Sequence, residues 1–200
     1  MIVPPPKRGH RPTVLLLMGV SGAGKTTTGK RLAKTLGWTF RDADEFHPPE
    51  NITKMTAGQP LTDDDRWPWL DAIGVWMDSK RIEGGRAIVT CSALRRIYRE
   101  RLLTGRPEVR LVFLKGSKAL IADRLSRRSG HFMPPALLDS QFSTQEEPRR
   151  DERAIVVDVS MPPSQVVANI VRYVEPRRQL QVLPSHPPRP LKRPDRRSHR

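Results

Sequence analysis

Gly19-Val20-Ser21-Gly22-Ala23-Gly24-Lys25-Thr26 fits the phosphate-binding pattern G-x-x-x-x-G-K-[ST] at every fixed position. Its flanks fit as well. Thr13-Val14-Leu15-Leu16-Leu17-Met18 is an unbroken apolar run, the mark of a strand buried on both faces. From Thr27 to Leu36 there is no proline, and Leu32, Ala33 and Leu36 fall on one helical face. A strand, a glycine-rich turn and a helix in this order turn successive backbone N–H groups inward and set a helix N-terminus beneath an anion. In such a loop Lys25 reaches the β- and γ-phosphates, and the Thr26 hydroxyl serves Mg²⁺. The expectation is a nucleoside-triphosphate site spanning Gly19 to Thr27.

Working outward, 200 residues allow one domain with tails. The apolar fraction of 36% is low for a wholly compact chain. Net charge is +15, but residues 176–200 carry seven Arg and one Lys against one Asp, and residues 1–12 carry Lys7, Arg8 and Arg11. About residues 13–175 therefore hold only +5, ordinary for an enzyme with anionic substrates. The last 25 residues contain six prolines and few large apolar side chains, so they are expected to be a disordered basic tail, with 1–12 a flexible extension. Such a tail either stays solvated or meets nucleic acid or an anionic surface. The single cysteine, Cys91, excludes an internal disulfide framework and a cysteine-based zinc site. No apolar run reaches the roughly 18 residues that span a bilayer, and Met1 to Pro12 lacks the apolar centre of a secretory signal. A soluble cytoplasmic protein is expected.

Along the chain, Thr39-Phe40-Arg41-Asp42 reads as a second strand ending in Asp42-Ala43-Asp44. Ligands of open parallel sheets bind beyond the strands' carboxyl ends. Asp42 and Asp44 would there face the phosphate loop, one serving a metal and one a substrate hydroxyl, unless they simply make a turn. A short helix is expected over Asn51–Ala57. A longer one should open at Thr62, where Thr62 and Asp65 fit a capping box and three carboxylates suit the N-terminus. Its Trp69, Leu70, Ile73, Trp76 and Met77 fall at packing positions. Arg66 is a candidate anion clamp, with an ion pair to Asp63 or Asp65 as the competing role.

Arg86–Cys91 reads as a third strand, with Ser92 capping a helix over Ala93–Leu103 and Cys91 a small buried residue. Arg110–Leu114 and Ala154–Val159 read as the fourth and fifth strands, Lys118–Arg127 as a helix, and Pro163 as the start of the last helix. Arg124, Arg127 and Arg128, followed by Gly130 and Pro134-Pro135, look like the border of a lid that brings positive charge over a phosphoryl group; complementing the helix dipole is their plainer role. Alternating strands and helices of these lengths predict an α/β three-layer fold with right-handed crossovers.

Residues 13–174 resemble the gluconokinases of the small P-loop kinase type. The resemblance rests on the phosphate loop together with Asp42-Ala43-Asp44-Glu45-Phe46-His47-Pro48, Asn51-Ile52-Thr53-Lys54-Met55, Gly58-Gln59-Pro60-Leu61-Thr62-Asp63-Asp64-Asp65-Arg66, Pro68-Trp69-Leu70, Cys91-Ser92-Ala93-Leu94-Arg95, Gly130-His131-Phe132 and Gln141-Phe142. It implies a five-stranded parallel sheet, substrate-side helices, a lid, commonly a homodimer, and transfer of the ATP γ-phosphoryl to the 6-hydroxyl of D-gluconate. Arg95 stands where Lys is expected and Thr26 where Ser is frequent; both keep the charge or the hydroxyl.

Under that resemblance Lys25 and the loop hold ATP, Thr26 and Asp42 hold Mg²⁺, and Asp44 receives the attacking hydroxyl. His47, Lys54, Arg66, Arg95 and Gln141 bind gluconate, and Arg124 and Arg128 cover the phosphoryl. The rivals are a shikimate-kinase-like or nucleotide kinase of the same fold and, of another class, a nucleic-acid-binding protein with a nucleotide-sensing loop.

Overall fold

The computed structural model describes residues 12–127 and 135–175. The expected N-terminal extension, the basic tail, and Arg128 with Gly130-His131-Phe132 of the expected lid lie outside the described residues.

Five parallel strands form one sheet in the order β2-β3-β1-β4-β5: β1 (Val14–Met18), β2 (Thr39–Asp42), β3 (Ala87–Thr90), β4 (Val109–Lys115) and β5 (Ile155–Asp158). β1 is central, pairing Leu16 with Val89 on one side and with Leu111 on the other. Every β1 side chain is buried, as its unbroken apolar run requires when helices cover both faces.

The period-two alternation of strands sorts those side chains into two cores. Leu15, Leu17, Ile88, Val112 and Leu114 pack beneath α1 (Lys25–Leu36), α5 (Lys118–Ser126) and α7 (Pro163–Val174), meeting Leu32, Ile121, Val166 and Ile170. Val14, Leu16, Met18, Val89 and Phe113 face the other way, against Trp69, Leu70, Ile73 and Met77 of α3 (Asp63–Ile82) and Tyr98 and Leu102 of α4 (Arg96–Leu103). The expected three layers and the five-stranded parallel sheet are therefore present. Between β2 and α3 the chain makes a 3-10 turn (Ala43–Phe46) and α2 (Pro49–Thr56), which supply the substrate-side wall.

Two local readings need correction. Ser92 does not cap a helix at Ala93: α4 begins at Arg96 behind an extended Arg95, and residues 91–95 form a loop in which Ala93 takes φ 43°. Propensity alone favoured helix there, but the segment's carbonyls are committed elsewhere. Ser92 O accepts from Gly19 N at 3.3 Å and Leu94 O from Glu146 N at 2.9 Å. The second correction is an addition: α6 (Pro135–Thr144) packs on α5 and follows the segment read from sequence only as a lid border.

Candidate active site

The loop between β1 and α1 adopts the conformation its glycines permit. Gly22 sits at φ 80°, and a Cβ there would come within 2.9 Å of Leu125 Cγ and 3.0 Å of Ile121 Cγ2, so α5 can approach only a bare backbone. Gly24, at φ 88°, is the N-cap of α1, whose first residues are Lys25 and Thr26. No acidic side chain occupies that first turn, which leaves the N-terminus of the helix to an anion. Lys25 Nζ reaches back to Gly19 O at 3.0 Å and Val20 O at 3.2 Å. Burial lowers its pKa, opposed by Cys91, Asp44 and Asp42. Thr27 is exposed on the same turn.

The strand ends bring the carboxylates to this loop, as their position in sequence predicts. Thr26 Oγ1 donates to Asp42 Oδ2 at 2.7 Å, so a hydroxyl and a carboxylate oxygen from two different elements share one spot. That hard oxygen pair beside a phosphate cradle fits Mg²⁺, which takes one or two protein oxygens and completes its shell with phosphate and water. Asp42 also caps the 3-10 turn: its side chain accepts from Asp44 N, while its own N–H donates to Glu45 Oε1. The turn-making role weighed for these aspartates is therefore present at Asp42. Asp44 is exposed and close enough to Lys25 and His47 to perturb both.

The substrate-side wall is built on Trp69 and Asn51. Trp69 Nε1 donates to Ala43 O at 2.7 Å, and its ring stacks on His47 at 4.4 Å and 9°. It fixes both ends of the turn that presents Asp44. Asn51, 2% exposed, donates to Asp65 O at 2.8 Å and faces His47 Nδ1 at 3.4 Å. Burial pushes the His47 pKa down, Asp44 opposes this, and Arg66 adds to it. A neutral ring that accepts from Asn51 at Nδ1 keeps its proton on Nε2, a donor suited to a hydroxyl-rich ligand.

The cations gather around the N-terminus of α3. Lys54 Nζ bonds Asp65 Oδ1 at 2.6 Å, and Asp65 is drawn down to about 2 by Lys54 and by the Thr62 capping bonds. Arg95 Nη1 bonds Asp63 Oδ2 at 2.5 Å; Arg66 lies 3.7 Å from Asp63 Oδ1. Of the two roles weighed for Arg66, the ion pair with Asp63 is the one present. Tyr98 donates to Asp63 Oδ1 at 2.6 Å, accepts from Arg66 and Arg95 at 3.4 Å each, and lies under both guanidiniums. Hydrogen bonds from Tyr98 and then Arg95 lower the Asp63 pKa. Two planar forks thus converge on one carboxylate, that of Asp63.

Two expected residues are placed differently. Gln141, on α6, accepts from Ser21 N at 2.7 Å, at the phosphate loop and not among the cations. Arg124 Nη2 donates to Val159 O, binding α5 to the segment after β5. Arg128 lies outside the described residues. Sequence reading missed Tyr98, Asn51 and the anchoring role of Trp69. Tyr98 had a legible signal, three residues after Arg95 on one helical face; the other two read as ordinary packing and loop positions.

Cys91 is buried beside Lys25, and burial raises its thiol to about 12. Iodoacetamide at pH 8 should therefore leave it unmodified in the folded protein and label it fully in denaturant, as read by intact mass. Full labelling without denaturant would contradict that burial.

A glycine-rich loop leading into a helix, with carboxylates at the next strand end and cations gathered at the N-terminus of α3, fits a phosphate-loop phosphotransferase. The family model described as Shikimate kinase matches residues 21–175. A gluconokinase from Gluconobacter oxydans (strain 621H) is 46% identical over 167 residues, covering 84% of this chain and 94% of its own. A probable gluconokinase from Xenopus tropicalis is 45% identical over 172 residues, covering 78% and 90%. The solved gluconokinase from Sinorhizobium meliloti 1021 superposes with a TM-score of 0.75 at 42% identity, over 89% of this chain and 100% of that one. The chain belongs to the gluconokinase family.

Proposed function

We propose that the protein transfers the γ-phosphoryl of ATP to the 6-hydroxyl of D-gluconate, giving 6-phospho-D-gluconate and ADP. One observation carries the reading: Asp44 lies near enough to perturb both Lys25 and His47, and His47 is perturbed in turn by Arg66, which meets Arg95 on Tyr98 and Asp63. A sugar acid has a carboxylate at one end and a primary hydroxyl at the other, which matches a site with guanidiniums at one end and a phosphate cradle at the other.

In this reading the backbone of Gly19 to Thr27 and Lys25 hold the triphosphate. Thr26 and Asp42 hold Mg²⁺, which when bound neutralises charge on the phosphates. Asp44 accepts the proton of the attacking hydroxyl. His47 donates to a gluconate hydroxyl, and Lys54, Arg66 and Arg95 bind the sugar acid. Arg124 and Arg128 cover the transferring phosphoryl group, Arg124 with the donors that Val159 O leaves unused, and Gln141 offers its amide N–H₂ to the sugar while Oε1 holds Ser21 N. Little covalent work falls to the protein; positioning and charge supply the rate. No helix among the described residues is long and apolar enough to cross a membrane. A cytoplasmic homodimer is part of the proposal, and light scattering on the purified protein tests the dimer.

The deciding experiment is ADP release with gluconate, shikimate, neutral sugars and nucleosides as acceptors. Gluconate should dominate. A preference for shikimate or a nucleoside would move the protein to the same-fold rival. The nucleic-acid reading requires salt-sensitive DNA or RNA binding that depends on residues 176–200, without turnover of any small molecule.

A further inference from the structure

Arg99 is fully buried, lies in α4 one turn beyond Arg95, and touches none of the groups assigned above to ATP or gluconate. Four of its five N–H donors are spent on three partners. Nη1 donates to Ala93 O at 3.2 Å and Leu94 O at 3.1 Å, while Nε and Nη2 fork onto Glu152 at 2.5 and 3.0 Å. The Glu152 side chain is only 7% exposed. Burial pushes its pKa up, but Arg99 and the Arg149 N–H more than offset this and keep it low.

The two carbonyls that Arg99 holds belong to the strained loop, where Ala93 stands at φ 43°. Other contacts pin the same loop. Cys91 N donates to Leu17 O at 2.9 Å, Gly19 N to Ser92 O at 3.3 Å, and Glu146 N to Leu94 O at 2.9 Å. Glu146 Oε2 in turn accepts from Arg96 N at 2.6 Å, in the first turn of α4. The next side chain along the chain is Arg95, one of the three cations of the cluster, and Tyr98, which accepts from it, follows three residues later. The segment supplying Glu146 and Glu152 also follows α6, whose Gln141 accepts from Ser21 N.

We propose that Arg99 is a positioning residue for the sugar-acid end of the site, acting with Glu152 through the Ala93 and Leu94 carbonyls to aim Arg95. A guanidinium is required because two carbonyls and a bidentate carboxylate need donors in a fixed planar fork, which an ammonium cannot supply. The proposal rests on the reading of Arg95 as a gluconate contact.

The test compares wild type, Arg99→Lys, Glu152→Gln and Arg95→Met, each checked for folding by circular dichroism and thermal melting. Arg99→Lys keeps the charge and loses the fork; its KM for gluconate should rise about tenfold, equivalent to about 1.4 kcal/mol, with KM for ATP within twofold of wild type. Glu152→Gln should move gluconate KM in the same direction. A merely structural pair would instead lower melting temperature and active fraction and leave both KM values alone, and that result overturns the proposal. So does a parallel rise in both KM values, or failure of both variants to fold. Arg95→Met separates the two readings: an unchanged gluconate KM there removes Arg95 from the sugar-acid site, whatever Arg99 does.

Discussion

Asp44→Asn is expected to lower kcat for gluconate phosphorylation by about 10²–10⁴-fold, the usual range for a lost general base, with a much smaller change in gluconate KM. The substitution keeps size and hydrogen-bonding reach and removes only the basic oxygen. Its scaffold should survive. The 3-10 turn is held by Asp42 and Glu45 from within and by Trp69 on Ala43 O from outside, none of which uses the Asp44 carboxylate. Asp44 also contributes a negative charge near Lys25 and His47, so Asn should lower the His47 pKa further by removing the group that opposes burial. NMR titration of His47 alongside the kinetics checks that the charge is gone while the fold is kept. A variant whose KM alone changes would make Asp44 a binding group, and the proton would then need another acceptor.

How much of this was visible in the chain differs by element, for physical reasons. The phosphate loop was fully legible because its chemistry is backbone chemistry: glycines at Gly19, Gly22 and Gly24 and an apolar strand before them leave few alternatives. The α3 N-terminus was legible too, since a capping box is a contact between residues three apart, and Thr62 and Asp65 make it as expected. What failed was whatever depended on long-range partners. Ser92 looked like a helix cap because nothing local shows that Gly19 and Glu146 claim the neighbouring carbonyls. The Arg66–Asp63 pair, three residues apart, was legible, whereas Lys54 and Arg95 were recognisable only as cations, because their pairing with Asp65 and Asp63 joins residues 11 and 32 apart. Gln141 was placed with the sugar by the resemblance alone; only the packing of α6 shows that it meets Ser21. Trp69 illustrates the limit from the other side. Its helical spacing marks it correctly as a packing residue, yet its indole N–H and stacked face carry the functional consequence.

Lys25→Met should cost about 10²–10³-fold in kcat, the scale seen when one preorganised electrostatic group is removed from a site of developing charge. It should also weaken nucleotide binding. Two effects combine here. The methionine fills the aliphatic path of the lysine, so the cradle stays packed, but the ammonium that would meet the β- and γ-phosphates is absent. The carbonyls of Gly19 and Val20 also lose their donor. The second effect matters because those carbonyls belong to the loop whose N–H groups face the anion: a loop free to relax presents its donors less well, and the loss then reaches KM for ATP as well as kcat. Lys25→Arg distinguishes the contributions. A guanidinium keeps the charge but is too large and planar for a seat shaped around a point charge held 3.0 and 3.2 Å from two carbonyls. If charge alone mattered, arginine would rescue most of the rate; the geometry predicts that it rescues little. Turnover at the wild-type rate in Lys25→Met would mean that phosphoryl transfer takes place away from this loop, and the assignment of Thr26, Asp42 and Asp44 would fall with it.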